Sequence, residues 1–246
     1  MGVHDVALAP DNTTFTAVAL DGSMYLLDVL DGVKMPSVSH TLAPNFWSTA
    51  FGGRSDWLYG GTGDGKVHKY GSEQGALLET YDTRKPSNVM GLDVTKDECF
   101  VATGDDNGIL TIFDADTKKI SLQLDFRKTI RRLCFDPLGR HLLIACEDHT
   151  IKIVNMPHGV VEATTPKHAA AVVSVDASPD GKYFVSGSSD GTVKLWDVRF
   201  NRCQQTYGSE GALKLWDVAF NPRNDMVACV GKEKKSILHY CNIVES

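Results

Sequence analysis

The sequence predicts an all-β protein built from tandem repeats, and three observations support this prediction. A polar tight-turn pair recurs along the chain at steps of 43, 43, 41 and 42 residues. The runs between these turns are rich in Val, Ile, Leu and aromatic residues, which are the residues that strands prefer. No segment shows the spacing of a long amphipathic helix. The chain is therefore interpreted as an array of similar antiparallel units.

Two kinds of turn mark each repeat. The first contains Asp or Asn followed in four cases by Gly, a pair that favours the positive φ angles of two-residue hairpins. These pairs are Asp21-Gly22, Asp64-Gly65, Asn107-Gly108, Asp148-His149 and Asp190-Gly191. The second is an earlier polar turn, such as "SPDG" at 178. Together the turns predict one domain, 1–246, with six repeats at approximately 2–41, 42–85, 86–127, 128–168, 169–210 and 211–246.

The motif "VKLWDV" at 193–198 contains the Trp-Asp pair that is typical of a WD-repeat blade, whose period is about 40–45 residues. The predicted fold is therefore a WD-repeat β-propeller. The letters "KLWDV" return at 214–218, too soon for a second blade marker. Trp196 is assigned as the marker, because it lies six residues after Asp190, the offset that selects Leu27, Tyr70, Phe113 and Val154 in the other repeats.

Trp216 belongs instead to the first strand of the sixth repeat, seventeen residues before Glu233 in the degenerate last turn. The same offset selects Trp47, Met90, Arg131 and Val173. The repeat phase predicts that Trp47 and Trp216 lie at the mouth of the central channel, where exposed apolar groups are candidate protein-binding residues. Arg131 lies in the basic stretch "RKTIRR" at 127–132. This stretch is interpreted equally well as a basic patch at the mouth of the channel and as a solvated connection between two repeats.

The fifth repeat alone has the four polar residues that can form a buried network inside a blade. They are His168, Ser186, Asp190 and Trp196. Such a network stabilises a blade only when every member has its hydrogen bonds, so a structural role is predicted for all four. Thr192, on the shoulder of the hairpin, is predicted to be dispensable for stability.

The sequence offers no catalytic, cofactor or metal site, so an enzyme is the weakest hypothesis. The segment "GGTGDGK" at 60–66 resembles a phosphate-binding loop, but Val67 stands where Ser or Thr would bind magnesium. The six cysteines lack the spacing of zinc ligands. A net charge of −6 argues against general polyanion binding, and no apolar run approaches the roughly 18 residues of a membrane span. We predict neither specific nucleic-acid binding nor membrane association.

With its repeats aligned, the chain resembles the WD-repeat subunit of the superkiller (Ski) complex, which is also found in the polymerase-associated factor complex. The residues that carry the resemblance include "YGSEQGALLETYDTR" at 70–84, "GILTIFD" at 108–114 and "IRRLCFDP" at 130–137. The resemblance extends over residues 2–246. The family has seven blades, and the first repeat and the closing N-terminal strand of that ring have no counterpart in this sequence.

The resemblance implies a non-catalytic scaffold that holds a helicase and a helical-repeat protein together for 3′-to-5′ messenger RNA decay, with nuclear roles in transcription elongation. It also implies cytoplasmic and nuclear localisation and binding of short peptide segments on the top face, where the five offset-seventeen residues map. The alternative is a substrate receptor of a cullin ubiquitin ligase. That hypothesis is suggested by a possible adaptor-docking box at Asp190, Trp196, Asp197 and Arg199.

Overall fold

The computed structural model describes residues 2–19, 21–30, 32, 45–73, 75–208, 214–232 and 236–242, the last range by its backbone alone. These residues form strands and contain no helix, which confirms the predicted all-β class. The strands fall into two compact units, Met1–Arg127 and Lys128–Ser246. The boundary between the units lies between the predicted third and fourth repeats. The prediction of a single domain over 1–246 stays a prediction.

The first unit contains three antiparallel sheets, in each of which every strand pairs with its neighbour in sequence. The first sheet has three described strands and the other two have four each. In chain order the strands are β1 (Val3–Leu8), β2 (Thr14–Ala19) and β3 (Met24–Asp28); β4 (Phe46–Phe51), β5 (Trp57–Thr62), β6 (Lys66–Gly71) and β7 (Leu77–Asp82); and β8 (Val89–Val94), β9 (Phe100–Asp105), β10 (Ile109–Asp114) and β11 (Ile120–Asp125).

The second unit repeats this plan with two four-stranded sheets and a last sheet of three described strands. Its strands are β12 (Ile130–Phe135), β13 (His141–Cys146), β14 (Ile151–Asn155) and β15 (Val160–Thr164); β16 (Val172–Ala177), β17 (Tyr183–Ser188), β18 (Val193–Asp197) and β19 (Arg202–Tyr207); and β20 (Lys214–Phe220), β21 (Met226–Lys232) and β22 (Ser236–Asn242). Each of the six sheets lies inside one predicted repeat. The seven-bladed ring implied by the resemblance is not confirmed.

Within each unit the sheets pack face to face, and the apolar core lies between them. One core cluster between the first two sheets contains Met24, Phe46 and Tyr70, all buried. Another, in the second unit, places Phe184 and Trp196 with their rings stacked at 5.9 Å between centroids. Because both faces of a middle strand are covered, adjacent residues such as those of β18 are buried together, and a strict apolar-polar alternation is lost.

The predicted turn pairs lie at the hairpins between the second and third strands, but the hairpins are longer than the two residues predicted. Three residues, 63–65, join β5 to β6, and four, 189–192, join β17 to β18. Only the second member of each pair has a positive φ angle: 79° at Gly22, 81° at Gly65, 89° at Gly108, 75° at His149 and 89° at Gly191. This is the geometry of a turn closed by one left-handed residue, which explains why the first member can be Asp or Asn.

Candidate functional site

A β-bulge interrupts the first strand of every sheet at the same position. In β20, for example, Leu215 pairs with Gly231 and Asp217 pairs with Val230, which leaves Trp216 as an extra residue without a cross-strand partner. A bulge of this kind kinks the strand and re-aims a side chain. The bulged residues are His4, Trp47, Met90, Arg131, Val173 and Trp216. All five predicted protein-binding residues thus occupy bulges, and His4 is a sixth member.

In five of the six sheets the local sequence fixes the bulge, because a buried residue precedes it and another follows two positions later. In β12, Ile130 and Leu133 are buried on either side of Arg131 and Arg132, and in β16 the corresponding buried residues are Val172 and Val175. A shift of one residue would turn these apolar side chains out of the core. The register is therefore held on both sides of the extra residue, which is not itself needed to hold it.

The bulges of neighbouring sheets are aligned within the second unit. The hydroxyl of Ser174 donates a hydrogen bond to Asp217, and each of these residues directly follows its bulge. Cys134 and Asp176, each three residues past its bulge, meet at 3.6 Å between Sγ and Oδ1. Equivalent positions of β12, β16 and β20 are thus adjacent. We call Arg131, Val173 and Trp216 the second bulge surface.

In the first unit, His4, Trp47 and Met90 form what we call the first bulge surface. The rings of His4 and Trp47 meet edge to face, with 5.0 Å between their centroids. Beside them, a β carbon at Gly63 would lie 3.1 Å from Trp47 Nε1 and 3.1 Å from Asn88 Oδ1. The absence of a side chain at Gly63 therefore leaves a notch between a hydrogen-bond donor and an acceptor.

The notch is held in shape by a neighbouring carboxylate. The carboxamide Nδ2 of Asn88 donates to Asp106 Oδ2 over 2.7 Å, which turns the other end of the amide toward Gly63. Trp47 and Met90 are half-buried, whereas His4 is exposed. The first bulge surface thus combines apolar area with one oriented donor, Trp47 Nε1, and lies beside one oriented acceptor, Asn88 Oδ1. A peptide group needs one acceptor and one donor of this kind to bind.

The second bulge surface differs in charge and exposure. Trp216 is 59% exposed and supplies the aromatic ring of this surface. The guanidinium of Arg131 donates to Glu147 Oε1 from Nε over 2.8 Å, and its Nη2 contacts the same oxygen. Val173 is half-buried and packs against the apolar cluster of β17, β18 and β20, so it contributes less to the surface than the other two residues.

The four predicted network residues lie together inside the fifth sheet. Trp196 Nε1 donates to Ser186 Oγ over 2.9 Å, and this oxygen lies 2.8 Å from His168 Nε2. His168 Nδ1 lies 3.2 Å from Asp190 Oδ2. Because the serine oxygen accepts from the indole, its own hydrogen can go to Nε2, and a proton on Nδ1 can then go to the carboxylate. Every member is satisfied when the imidazole is neutral.

Burial favours that neutral form. Burial of the imidazole, together with the nearby charge of Lys194, lowers the pKa of His168 to about 4. Burial alone would raise the pKa of Asp190, but hydrogen bonds from Thr192 and from the Ala169 N–H lower it. The pair therefore consists of a neutral imidazole and an ionised carboxylate at neutral pH.

Thr192 was predicted to be dispensable, and the structure contradicts this. Its side chain is buried, and its hydroxyl donates to Asp190 Oδ1 over 2.7 Å. The same hydroxyl lies 3.2 Å from His168 Nδ1. Thr192 is thus a fifth member of the network. The turn assignment hid this role, since a residue beside a hairpin turn is usually solvated.

No group of three or more potential metal ligands is present among the described residues. Within the same part of the chain, no helix has the length and apolarity needed to cross a membrane. The segment that resembles a phosphate-binding loop is the β5–β6 hairpin: Gly65 has a φ of 81°, and Val67 is buried in β6. A strand follows the glycines, so the helix N-terminus that would hold phosphate is missing at this place.

Comparison with known proteins identifies the repeat. Residues 121–155 and 159–197 match the family "WD domain, G-beta repeat". A guanine nucleotide-binding protein subunit beta-like protein of Encephalitozoon cuniculi is 29% identical over 161 residues, which cover 61% of this chain and 48% of that protein. The target of rapamycin complex subunit LST8-1 of Arabidopsis thaliana is 32% identical over 114 residues, or 44% of this chain and 36% of that protein.

Human striatin-3 is 27% identical over 179 residues, which cover 68% of this chain and 22% of that protein. The chain spans less than half the length of each of these three relatives. The two segments of this chain that match the family extend over most of β11 to β14 and over β15 to β18.

Proposed function

Since the chain contains WD repeats and is homologous to WD-repeat proteins, we propose that it is a non-catalytic scaffold that docks short peptide segments on its bulge side chains. The observation that carries this proposal is the bulge at one fixed position in every sheet, with Trp216 exposed there. An exposed aromatic side chain that the core does not need is a typical binding hot spot.

The finer proposal is that this scaffold is the WD-repeat subunit of the Ski complex, of the polymerase-associated factor complex, or of both. The motifs at 70–84 and 130–137 support it. Its partners would be the helical-repeat and helicase subunits of such a complex, and it would work in messenger RNA decay in the cytoplasm and in transcription elongation in the nucleus. A relative named as a complex subunit is consistent with a scaffold role.

Affinity purification of the tagged chain from native extract tests the proposal, with partners quantified for the wild type and two variants. Trp216→Ala removes the exposed ring of the second bulge surface. Phe200→Ala removes another exposed aromatic ring, in the turn after β18, and serves as the matched control. We expect a helicase and a helical-repeat protein to be lost with Trp216→Ala and retained with Phe200→Ala. Retention of both partners by Trp216→Ala would contradict docking at this surface.

The alternative, a receptor of a cullin ubiquitin ligase, rests on one accessible residue. Asp190, Trp196 and Asp197 of the possible docking box are buried, whereas the side chain of Arg199 is 73% exposed beside Phe200. Arg199→Ala distinguishes the two functions in the same purification. Loss of a ubiquitin-ligase adaptor in this variant, with no effect of Trp216→Ala, would favour the alternative.

A further inference from the structure

Positive charge gathers beside the second bulge surface, although the whole chain has a net charge of −6. Lys214 lies directly opposite Lys232 in the β20–β21 pair, two residues before Trp216, and both lysines are exposed. Like charges in this arrangement destabilise a strand pair. Neither ammonium forms an ion pair with an acidic side chain in the part of the chain that the structure describes. The pair therefore lowers stability without a compensating contact there.

Arg131 adds a cation that is already oriented. Its contact with Glu147 fixes the plane of the guanidinium through Nε and Nη2, and both side chains are partly exposed. A guanidinium has five N–H donors, so this contact leaves donors for a second carboxylate. Glu147 is then both an orienting group and a competitor for any acidic ligand.

We propose that the second bulge surface binds an acidic protein segment. An apolar side chain of the segment would pack on Trp216, one carboxylate would bind at the Lys214–Lys232 pair, and another would bind at Arg131. This inference rests on the proposed docking function and adds the charge of the ligand.

A protein segment fits these charges better than a nucleic acid does. A polyanion meets the repulsion of the whole chain, whose net charge is −6, and proteins that bind polyanions normally present a broad basic face. A segment with two or three carboxylates needs only the few cations present here. Trp216 supplies the apolar contact that gives such a segment its affinity.

A random 12-residue peptide library displayed on phage provides the first test. It is selected on the wild-type chain, and binders that also bind Trp216→Ala are removed. We expect the remaining sequences to be enriched in Asp and Glu near a large apolar residue. Enrichment of neutral or basic sequences would overturn the acidic preference while leaving the docking function intact. Failure to obtain any Trp216-dependent binder would count against the docking function itself.

The second test uses the best selected peptide and its copy with every Asp and Glu replaced by Asn and Gln, measured by fluorescence polarisation. We expect the neutral copy to bind at least tenfold more weakly and the difference to shrink in high salt. Arg131→Gln and Lys214→Gln should each weaken binding about threefold. Glu147→Gln should tighten it, because it removes the competitor, and this rise cannot come from damage to the fold.

Lys182→Gln is the matched control, since Lys182 is an exposed lysine of the same unit before β17 and outside the second bulge surface. Its affinity for the acidic peptide should equal that of the wild type. Equal affinities for the acidic and neutral peptides, or an unchanged affinity of Glu147→Gln, would overturn the proposal. Tighter binding of a single-stranded RNA probe that displaces the peptide would replace it with a nucleic-acid site.

Discussion

The two copies of Lys-Leu-Trp-Asp-Val place identical tryptophans in opposite environments. Trp196, in β18, is 0% exposed, stacks on Phe184 and donates a hydrogen bond to Ser186. Trp216, in β20, is 59% exposed and has no cross-strand partner. The leucines that precede them are both buried in one apolar cluster. The difference between the copies therefore begins at the tryptophan.

The strand in which each tryptophan lies, and not the residue type, determines whether its ring is buried or exposed. β18 is a middle strand with both faces covered, so Leu195 and Trp196 are buried although they point to opposite faces. β20 is a first strand, and its bulge at Trp216 lets Leu215 and Val218 keep their core positions while the ring between them is directed outward. The same pentapeptide thus places its tryptophan in the core at one position and on the surface at the other.

The largest effect should come from the buried copy. Trp196→Ala should lower the free energy of unfolding by about 3–5 kcal/mol, because it empties an aromatic site in the core and leaves Ser186 without its donor. Urea denaturation, monitored by circular dichroism, measures this change. A loss below about 1 kcal/mol would show that the stacked ring and its hydrogen bond contribute little, and the distinction between the two copies would fail.

The pH dependence of stability should be the next largest effect. The pKa of His168 is lowered from 6.5 to about 4 on folding, so the unfolded chain binds the proton more readily. The stability from this group is present above pH 6.5 and is lost as the pH falls toward 4, by roughly 3 kcal/mol in total. His168→Gln should abolish this loss, since an amide does not titrate.

Asp176, in the same sheet, acts in the opposite direction. Burial raises its pKa from 3.8 to about 6, although the Phe220 N–H donates to it over 2.7 Å. Its contribution is fully present below pH 3.8 and is lost as the pH rises through 6. Urea denaturation of each variant between pH 4 and 7 should therefore give opposite trends. His168→Gln, in which Asp176 still titrates, should be more stable at pH 4 than at pH 7. Asp176→Asn, in which His168 still titrates, should be more stable at pH 7 than at pH 4. The same slope in both variants would contradict these assignments.

A smaller effect is expected at Thr192, which supports the network from the hairpin. Thr192→Ala should cost about 1–2 kcal/mol, because Asp190 Oδ1 loses a hydrogen bond while the Thr192 N–H still donates to it. Thr150→Ala is the matched control, since the Thr150 hydroxyl donates a hydrogen bond to Asp148 in the preceding sheet as Thr192 does to Asp190. The carboxylate of Asp148 does not contact a buried histidine in the described part of the chain. An equal cost for both variants would show that the effect belongs to the turn and not to the network.

Sequence periodicity predicted the turns and the blade marker, and it selected the five residues that the structure places at bulges, because a repeat period fixes the phase of each strand. It did not predict the bulge itself, since the extra residue is visible only in the pairing of two strands. His4 was missed although it lies seventeen residues before Asp21, the signal that selected the others. Thr192 was missed because side-chain contacts across a turn leave no pattern in the sequence.

The smallest effect on stability should come from the exposed copy. Trp216→Ala should change the free energy of unfolding by less than about 0.5 kcal/mol, since the side chain fills no core site and Leu215 and Val218 still hold the register of β20. Affinity for the selected peptide should nevertheless fall by tenfold or more, as is typical when an aromatic anchor is removed. Urea denaturation and peptide titration of the same preparation measure both quantities. A large loss of stability with a proportional loss of binding would instead show that Trp216, like Trp196, is a core residue. The contrast between the two copies would then disappear.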